Sequence, residues 1–413
     1  MIEVNRITLD NGIRVVHNYD SATAMVALNV LVNAGARNES PERTGLAHLC
    51  EHMMFGGSRH IPNFDRAIED AGGYNNAFTS NDFTNYYSVA PACNAETLFW
   101  LESDRFLEPL FTEETLNVQQ SVVIEEFKQT SLNRPYGDLS HLLRSLVYRQ
   151  HPYRWPVIGM TPEHVASASR NDLVEFFNRY YTPQHMVISV CGNITADKCF
   201  QLAQKWFSDI PSRHQALPEI PAEPKQTQKR ELTVHRDVPL PAIVLAFPMA
   251  AYGKPGYREA DIITDILSAG RSSRFYRKLM LGTDLFTEVD ASILGSEDAG
   301  YLMLSAKLRE DTDSSINQAI RLMTDEATSL SAEGNISLHE LERVRNRYES
   351  DFTFSSIDFL SRAQTLAMAE HHGKDINKAV SEYRAITIEQ IASTANDILR
   401  PERMSALIYR TQQ

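Results

Sequence analysis

Cysteine is scarce in this sequence. The chain has four cysteines, and none of them shows the C-x-x-C spacing of a thiolate metal site or a redox motif. Secreted domains that depend on disulfides use cysteine far more densely. The sequence therefore predicts neither a disulfide framework nor a cysteine-bound metal, and it favours a reduced, cytoplasmic location.

Long apolar runs and an excess of positive charge are also missing. A membrane-spanning helix needs a run of about eighteen apolar residues, and no stretch of this sequence is that long. The opening residues, Met1–Arg6, have neither the basic nor the apolar region of a signal peptide, so none is expected. The formal net charge of −13 argues against nucleic acid as a partner.

The sequence does have a globular composition over a length that exceeds one ordinary core. Hydrophobic residues make up 43% and charged residues 23% of the 413 positions, which indicates a soluble protein of several domains. Residues 210–237 are rich in proline and polar side chains, which disfavour a long helix or a central strand. We interpret them as a linker between an N-terminal domain, residues 1–209, and a C-terminal domain, residues 238–413.

The two domains look like distant copies. Residues 169–190 and 387–409 each predict a helix with a Ser or Thr N-cap, then a proline, a methionine and a strand. In the first domain, β-branched content and alternation predict strands at Ile13–Tyr19, Met25–Asn33, Thr84–Ala90 and Met186–Val190. Apolar runs predict helices at Pro41–Gly56, Ile61–Ala71, Asn94–Leu107, Glu113–Leu132, His141–Arg149 and Asp172–Tyr180. The expected fold class is α+β, with two homologous layered domains in tandem, each a mainly antiparallel sheet with helices packed on it.

The most informative motif lies in Gly45–His52, where H-x-x-E-H falls inside an apolar run. On a helix, His48 and His52 lie one turn apart on the same face. Two imidazoles so placed can share a tetrahedral zinc ion, with Glu51 close enough to act on its water. This reversed zincin motif favours metal-assisted peptide hydrolysis over the alternative, an accidental group of packed histidines.

A catalytic zinc site normally has three protein ligands, so a carboxylate from elsewhere is needed. Glu125 and Glu126 interrupt the apolar stretch Val122–Phe127, where an unpaired buried carboxylate would be costly. The pattern does not decide which glutamate faces inward. Both could equally be solvated, with the apolar stripe passing between them.

Several segments together resemble the pitrilysin/insulinase family of zinc peptidases, in the short-chain type that includes the mitochondrial processing peptidase and its bacterial relatives. The resemblance extends over nearly the whole chain. Its motifs are the turn at Leu9–Gly12, the approach at Gly35–Glu39, the metal helix at Gly45–His52 with Met54–Ser58 after it, and the strand region at Gly72–Ser80 and Thr84–Tyr86.

The resemblance implies a site. His48, His52 and Glu126 would bind Zn²⁺ and Glu51 would be the general base. Asn76 and Ala77 would hold an extended peptide at a strand edge, although Asn76 could also be an ordinary turn residue. The second domain would carry no metal, and the two halves or two subunits would enclose short or unfolded peptides in a chamber.

Two departures from the family pattern bear on activity. Gln119 stands where the family often has a second glutamate, on the same helix face as Glu126. Met280 and Thr287 stand where self-sufficient members have an Arg and a Tyr that reach the substrate carbonyl. We therefore expect the metal-bearing subunit of a heterodimer whose partner supplies the Arg and Tyr. A self-sufficient homodimer and a non-catalytic peptide-binding scaffold are the alternatives.

Overall fold

The computed structural model describes residues 1–213 and 216–412, and the chain divides into two compact units. Unit 1 comprises Met1–Phe127, Trp155–Ile220 and Asp351–Ala379, and unit 2 comprises Lys128–Arg154, Pro221–Ser350 and Val380–Gln413. Each unit has its own β-sheet with helices on both faces.

Both units are built from alternating strands and helices. The strands within the described residues are β1 (Asn5–Thr8), β2 (Arg14–Tyr19), β3 (Met25–Val32), β4 (Tyr74–Thr79), β5 (Thr84–Pro91), β6 (Met186–Gly192), β7 (Arg230–Arg236), β8 (Ala242–Pro248), β9 (Phe286–Leu294), β10 (Tyr301–Leu308) and β11 (Ser405–Thr411). The α-helices are α1 (Leu46–Met53), α2 (Phe64–Asp70), α3 (Ala95–Leu107), α4 (Glu113–Phe127), α5 (Leu139–Val147), α6 (Pro162–Ala166), α7 (Arg170–Tyr180), α8 (Ala196–Phe207), α9 (Tyr257–Ser268), α10 (Asp313–Thr328), α11 (Leu338–Ser355), α12 (Phe359–His371), α13 (Ala379–Arg384) and α14 (Ile388–Ile398).

Unit 1 has a six-stranded sheet in the order β1-β2-β6-β3-β5-β4. Neighbouring strands are antiparallel except for the parallel pair β2 and β6. One face packs on α3 and α8, with α1 against β4, and the other face is covered by α12. The central strands are buried on both faces, which explains their nearly continuous apolar sequences.

Unit 2 has a five-stranded sheet in the order β7-β11-β8-β10-β9, again with one parallel pair, β7 and β11. The order matches β2-β6-β3-β5-β4 of unit 1, and this shared topology supports a duplication. Helix α9 packs against β9, while α5 covers the opposite face of the sheet. The α+β prediction is confirmed.

The two sequence halves exchange a helix between the units. Helix α12 comes from the C-terminal half but belongs to unit 1, and α5 comes from the N-terminal half but belongs to unit 2. Each of these helices buries the second apolar face of a sheet. The proposed boundaries, residues 1–209 and 238–413, differ from the compact units because sequence order does not show which sheet a helix will cover.

The segment 210–237 is also more structured than a linker. Its last part forms β7, which pairs in parallel with β11 at the edge of the second sheet. The prolines all precede this strand, so they do not interfere with its hydrogen bonds. The linker prediction is therefore wrong for Arg230–Arg236.

The described part of the chain has neither a membrane-spanning helix nor a disulfide bond. None of its helices combines the length and the apolar character needed to cross a bilayer. Its four cysteines are free thiols; Cys93 is exposed, and Cys50, Cys191 and Cys199 are buried.

Candidate active site

Helix α1 carries the H-x-x-E-H motif, and its N-terminus is fixed by a carboxylate from outside the helix. The N-cap is Gly45, which has a φ of 87° and no side chain to cap the helix. Instead, the Glu39 carboxylate accepts hydrogen bonds from the backbone N–H of Gly45 at 2.9 Å and of Ala47 at 2.8 Å. A Cβ at position 45 would lie 2.9 Å from the Ile158 carbonyl oxygen. The positive φ and this close contact both require glycine here.

The two histidines of α1 face each other as the spacing predicts. The ring centroids of His48 and His52 are 4.7 Å apart, with the rings nearly perpendicular. Burial lowers the pKa of His48 to about 3, and the neighbouring His52 acts in the same direction. His48 is therefore a neutral imidazole, the form that binds a metal ion.

Helix α4 brings one glutamate to these histidines. An oxygen of Glu126 lies 3.8 Å from His48 Nε2 and 3.7 Å from His52 Nε2. Glu125 is exposed, whereas Glu126 is half-buried. Of the two glutamates that the sequence left open, Glu126 is the one that faces α1.

These three groups fit a zinc ion. A tetrahedral ion at about 2.1 Å from each ligand atom would place those atoms roughly 3.4 Å apart, close to the distances between the Glu126 oxygen and the two Nε2 atoms. The ligand atoms of the three residues all lie within 4.8 Å of one another. His48 Nδ1 is buried without a hydrogen-bond partner among the described residues, so Nε2 is the nitrogen that faces the site.

Glu51 lies beside the three groups and is held by the neighbouring strand. The Thr79 hydroxyl of β4 donates a 2.6 Å hydrogen bond to Glu51 Oε2. Burial raises the pKa of Glu51 to about 7; the Thr79 hydrogen bond opposes this shift, and the charge of Glu126 adds to it. Glu51 and His52 line one pocket of about 380 Å³ together with Phe55, Asp65, Asn75, Asn76 and Gln119.

Asn76 and Ala77 lie on the edge strand of the first sheet. Strand β4 pairs only with β5 within the described residues, so its other edge is open. The Ala77 N–H donates a 2.8 Å hydrogen bond to Oδ1 of the neighbouring Asn76 side chain. A peptide strand that pairs with β4 can replace Asn76 Oδ1 as the acceptor, because it offers a backbone carbonyl oxygen.

Two family profiles match this chain. Residues 14–160 match the family described as Insulinase (Peptidase family M16), and residues 167–348 match the Peptidase M16 inactive domain. The chain belongs to the M16 peptidase family. The resemblance drawn from the sequence motifs is thereby confirmed.

Members of this family are similar along most of the chain. YmxG of Bacillus subtilis, named as an uncharacterized zinc protease, is 26% identical over 416 residues, which cover 98% of each chain. The zinc protease PqqE of Helicobacter pylori is 26% identical, covering 84% of this chain and 78% of its own. The probable mitochondrial-processing peptidase subunit beta of Arabidopsis thaliana is also 26% identical, covering 84% and 66% respectively.

Solved structures show the same fold. A protease from Helicobacter pylori superposes with a TM-score of 0.92 at 22% identity, covering 99% of this chain and all 100% of the other. A protein from Pseudomonas fluorescens, described as a peptidase M16 inactive domain, has a TM-score of 0.87 at 15% identity and covers 100% of this chain and 98% of its own. At these identities the comparison establishes the fold alone.

Gln119 of this M16 chain contacts a histidine of the motif directly. Its Oε1 atom accepts a hydrogen bond from His52 Nδ1 at 3.2 Å. Because a carbonyl oxygen can only accept, the proton is on Nδ1 and the lone pair is on Nε2, which faces Glu126. Gln119 therefore orients His52, although it lacks the charge of the family's glutamate.

Removing this hydrogen bond is expected to weaken zinc binding. Gln119→Leu should raise the zinc Kd by about tenfold to a hundredfold, because the orientation and tautomer of His52 are no longer fixed. Competition with a fluorescent chelator measures the Kd. Gln119→Glu is the matched control and should bind zinc at least as tightly as the wild type, since a carboxylate accepts the same hydrogen bond. Equal affinities for Gln119→Leu and the wild type would contradict this role.

The second unit has no copy of the motif. Helix α9 also begins after a glycine with positive φ, Gly256, and the positions that correspond to His48, Glu51 and His52 are Glu259, Ile262 and Ile263. The isoleucines are fully buried, so this helix serves the core of unit 2.

Met280 and Thr287 have structural roles in unit 2. Met280 packs against the hydrophobic core, and the Thr287 hydroxyl donates to the Lys307 carbonyl oxygen at 3.2 Å. Neither side chain offers the cationic or phenolic donor that self-sufficient family members are expected to use.

Sequence reasoning missed three residues that the structure brings to the site. Glu39 and Thr79 hold the metal helix and the predicted base, and Asp65 lines the pocket. Thr79 could have been found from strand alternation, which places it on the same side of β4 as Asn75 and Ala77. Glu39 lies in the motif Gly35–Glu39, but nothing in the neighbouring sequence indicates that its carboxylate caps a helix further along the chain.

Proposed function

We propose that this chain is a zinc metallopeptidase in which His48, His52 and Glu126 bind Zn²⁺ and Glu51 is the general base. The convergence of the two Nε2 atoms with one Glu126 oxygen is the observation that carries the proposal. Two histidines and a carboxylate are a ligand set that catalytic zinc sites use, with a further position left for water or substrate.

When bound, zinc supplies a Lewis acid that makes water a nucleophile at neutral pH and polarises the scissile carbonyl. Glu51 takes the proton from the attacking water and returns it to the amine nitrogen that leaves. Thr79 holds Glu51 by one oxygen, which leaves the other for this transfer. Gln119 fixes the orientation of the His52 ring, and the neutral state of His48 leaves a nitrogen lone pair that would bind the metal.

The open edge of β4 suits an extended peptide. Main-chain hydrogen bonds at Asn76 and Ala77 would bind peptides of many sequences, since they do not depend on side chains. Only a segment free of its own secondary structure can pair in this way. We therefore propose that the substrates are short or unfolded peptides, enclosed in a chamber as the family resemblance implies. We also propose a cytoplasmic location.

The ligand assignment is tested by two variants that differ by one position on α4. Glu126→Gln should lose zinc and peptide cleavage together, because an amide is a far weaker ligand than a carboxylate. Glu125→Gln is the matched control and should keep both, since Glu125 is exposed beside it. Elemental analysis and cleavage of a quenched fluorescent peptide library give the two readouts. Normal zinc content in Glu126→Gln would refute the assignment.

We further propose that the chain is the metal-bearing subunit of a heterodimer, based on Met280 and Thr287. A self-sufficient homodimer is the alternative, and size-exclusion chromatography with an activity assay on the single chain separates the two.

The match of residues 167–348 to an inactive-domain profile keeps a peptide-binding scaffold as a second candidate function. Zinc bound without cleavage under any partner condition would favour the scaffold.

A further inference from the structure

A cavity of about 420 Å³ lies within unit 2, between the segment that follows α9 and the start of α11. Its lining has one acid, Glu340, and four cations, Arg274, Arg277, Lys278 and Arg343. The whole chain has a net charge of −13, so this group of cations is a local exception. A cavity lined mainly by charges of one sign attracts ligands of the opposite sign.

Two of the cations are matched by neighbouring acids. Arg274 donates to Glu340 at 2.7 Å and lies 3.3 Å from Glu326. The Lys278 Nζ atom lies 2.8 Å from both carboxylate oxygens of Glu326. Burial alone would raise the pKa of Glu340, but hydrogen bonds from Arg274 and Ser337 outweigh it and lower that pKa to about 2. Both acids are therefore engaged with Arg274 and Lys278, which form a fixed wall of the cavity.

The other two cations, Arg277 and Arg343, donate no hydrogen bond to a carboxylate of the described residues. The Arg277 side chain is exposed and has no hydrogen bond or ion pair there at all. Arg343 is half-buried and donates to the backbone carbonyl oxygens of Ala269 at 2.7 Å and Asp265 at 3.3 Å. The nearby Asp265 carboxylate lies 3.7 Å from Arg347 instead. Two guanidinium groups at this cavity thus have N–H donors left for an anion.

Uncharged polar groups of the same cavity are also unused. The side chains of Ser272 and His339 are exposed and have no hydrogen-bond partner among the described residues. Asn335 donates its amide N–H to the Ser329 carbonyl oxygen at 2.6 Å, which leaves its side-chain oxygen as an acceptor. No aliphatic side chain and no Phe, Tyr or Trp ring of the described residues lines the cavity. It therefore suits a hydroxylated ligand better than an acyl chain or a stacked nucleobase.

We propose that this cavity binds a small hydrophilic phosphorylated molecule, of which a sugar phosphate is the simplest example. Arg277 and Arg343 bind the phosphoryl group, since guanidinium groups match phosphate oxygens with paired N–H donors. Ser272, His339 and Asn335 bind the hydroxyl groups. A phosphate alone would fill only part of the cavity, whose volume is that of a small-molecule site. The site lies in the unit without the metal ligands, so the proposal does not depend on the peptidase function.

The test is isothermal titration calorimetry of the full chain with glucose 6-phosphate, inorganic phosphate and glucose. Glucose 6-phosphate should bind one to one and more tightly than phosphate, and glucose should not bind measurably. Arg277→Gln should raise the Kd of both phosphates by about tenfold or more, because a charged donor is lost. Ser272→Ala should raise the Kd of glucose 6-phosphate and leave that of inorganic phosphate unchanged. Both residues are exposed, so thermal unfolding should match that of the wild type.

Arg271→Gln is the matched control, because Arg271 is an exposed arginine of the same segment that does not line the cavity. It removes the same charge and should bind both phosphates as the wild type does. Equal losses in Arg271→Gln and Arg277→Gln would overturn the proposal, since the charge of the surface would then account for binding. No binding of either phosphate to the wild type, or an unchanged Kd in Arg277→Gln, would also overturn it.

Vesicles that contain phosphatidylglycerol separate a soluble ligand from a lipid head group, which has the same phosphoryl chemistry. The wild type should not sediment with them, because no apolar side chain of the described residues lines the cavity. Sedimentation that Arg277→Gln abolishes would assign the site to a lipid and overturn the small-molecule proposal. None of these measurements requires zinc or peptide cleavage, so a failed peptidase function would leave their results intact.

Discussion

Replacing Glu51 by glutamine is expected to reduce peptide cleavage by about a hundredfold to ten-thousandfold while zinc content stays that of the wild type. The amide cannot take a proton from the attacking water, yet it has nearly the same size and can keep the hydrogen bond from Thr79. The proposed zinc ligands on α1 and α4 are not altered by this substitution. Cleavage of a peptide library and elemental analysis of the same preparation measure the two quantities.

Thr79→Val serves as the companion variant. It leaves the Glu51 carboxylate in place but removes the hydroxyl that orients it, so cleavage should fall by less than in Glu51→Gln. A Glu51→Gln protein that retains a tenth or more of wild-type activity would show that another group acts as the base. Loss of zinc in this variant would instead indicate that Glu51 supports the fold of the metal helix.

The second large effect concerns the partner. The purified chain alone is expected to cleave slowly, and a related chain that carries the missing Arg and Tyr should raise kcat by about a hundredfold to a thousandfold. The reason is that donors directed at the developing oxyanion stabilise the transition state, and neither Met280 nor Thr287 is such a donor. Activity titrations with the partner, together with size-exclusion chromatography of the mixture, measure the effect.

A partner in which the Arg and Tyr are both replaced provides the control. It should still assemble with this chain, because only two side chains have changed, but it should not stimulate cleavage. Full activity of the single purified chain would refute the need for a partner and leave the homodimer. Stimulation by the altered partner would mean that assembly itself, rather than the added donors, activates the site.

Local sequence patterns predicted the strands of unit 1 well. The predicted strands Ile13–Tyr19 and Met25–Asn33 differ from β2 and β3 by one residue at one end, because β-branched alternation is a local property. The helix predicted at Pro41–Gly56 was too long at both ends. It starts only after Gly45, whose left-handed conformation turns the chain into α1.

The choice between Glu125 and Glu126 shows the limit of reading a helix alone. Both lie in the same apolar stretch, and the periodicity of α4 is weak because only a few of its side chains are buried. The packing of α4 against α1 decides the question by placing Glu126 beside the two histidines. Family resemblance named this residue, while physical reasoning from the sequence left it open.

The sequence by itself determined the α+β class, the duplication and the pairing of His48 with His52, because each depends on spacing along the chain. Only the tertiary structure decided the exchange of α5 and α12, the use of residues 230–236 as a strand, and the contacts of Glu39, Thr79 and Asp65 with the site. Apart from the contact of Glu39 with the start of α1, these features join residues far apart in sequence. They arise because apolar sheet faces, an uncapped helix end and a buried carboxylate take whichever partner the fold brings near.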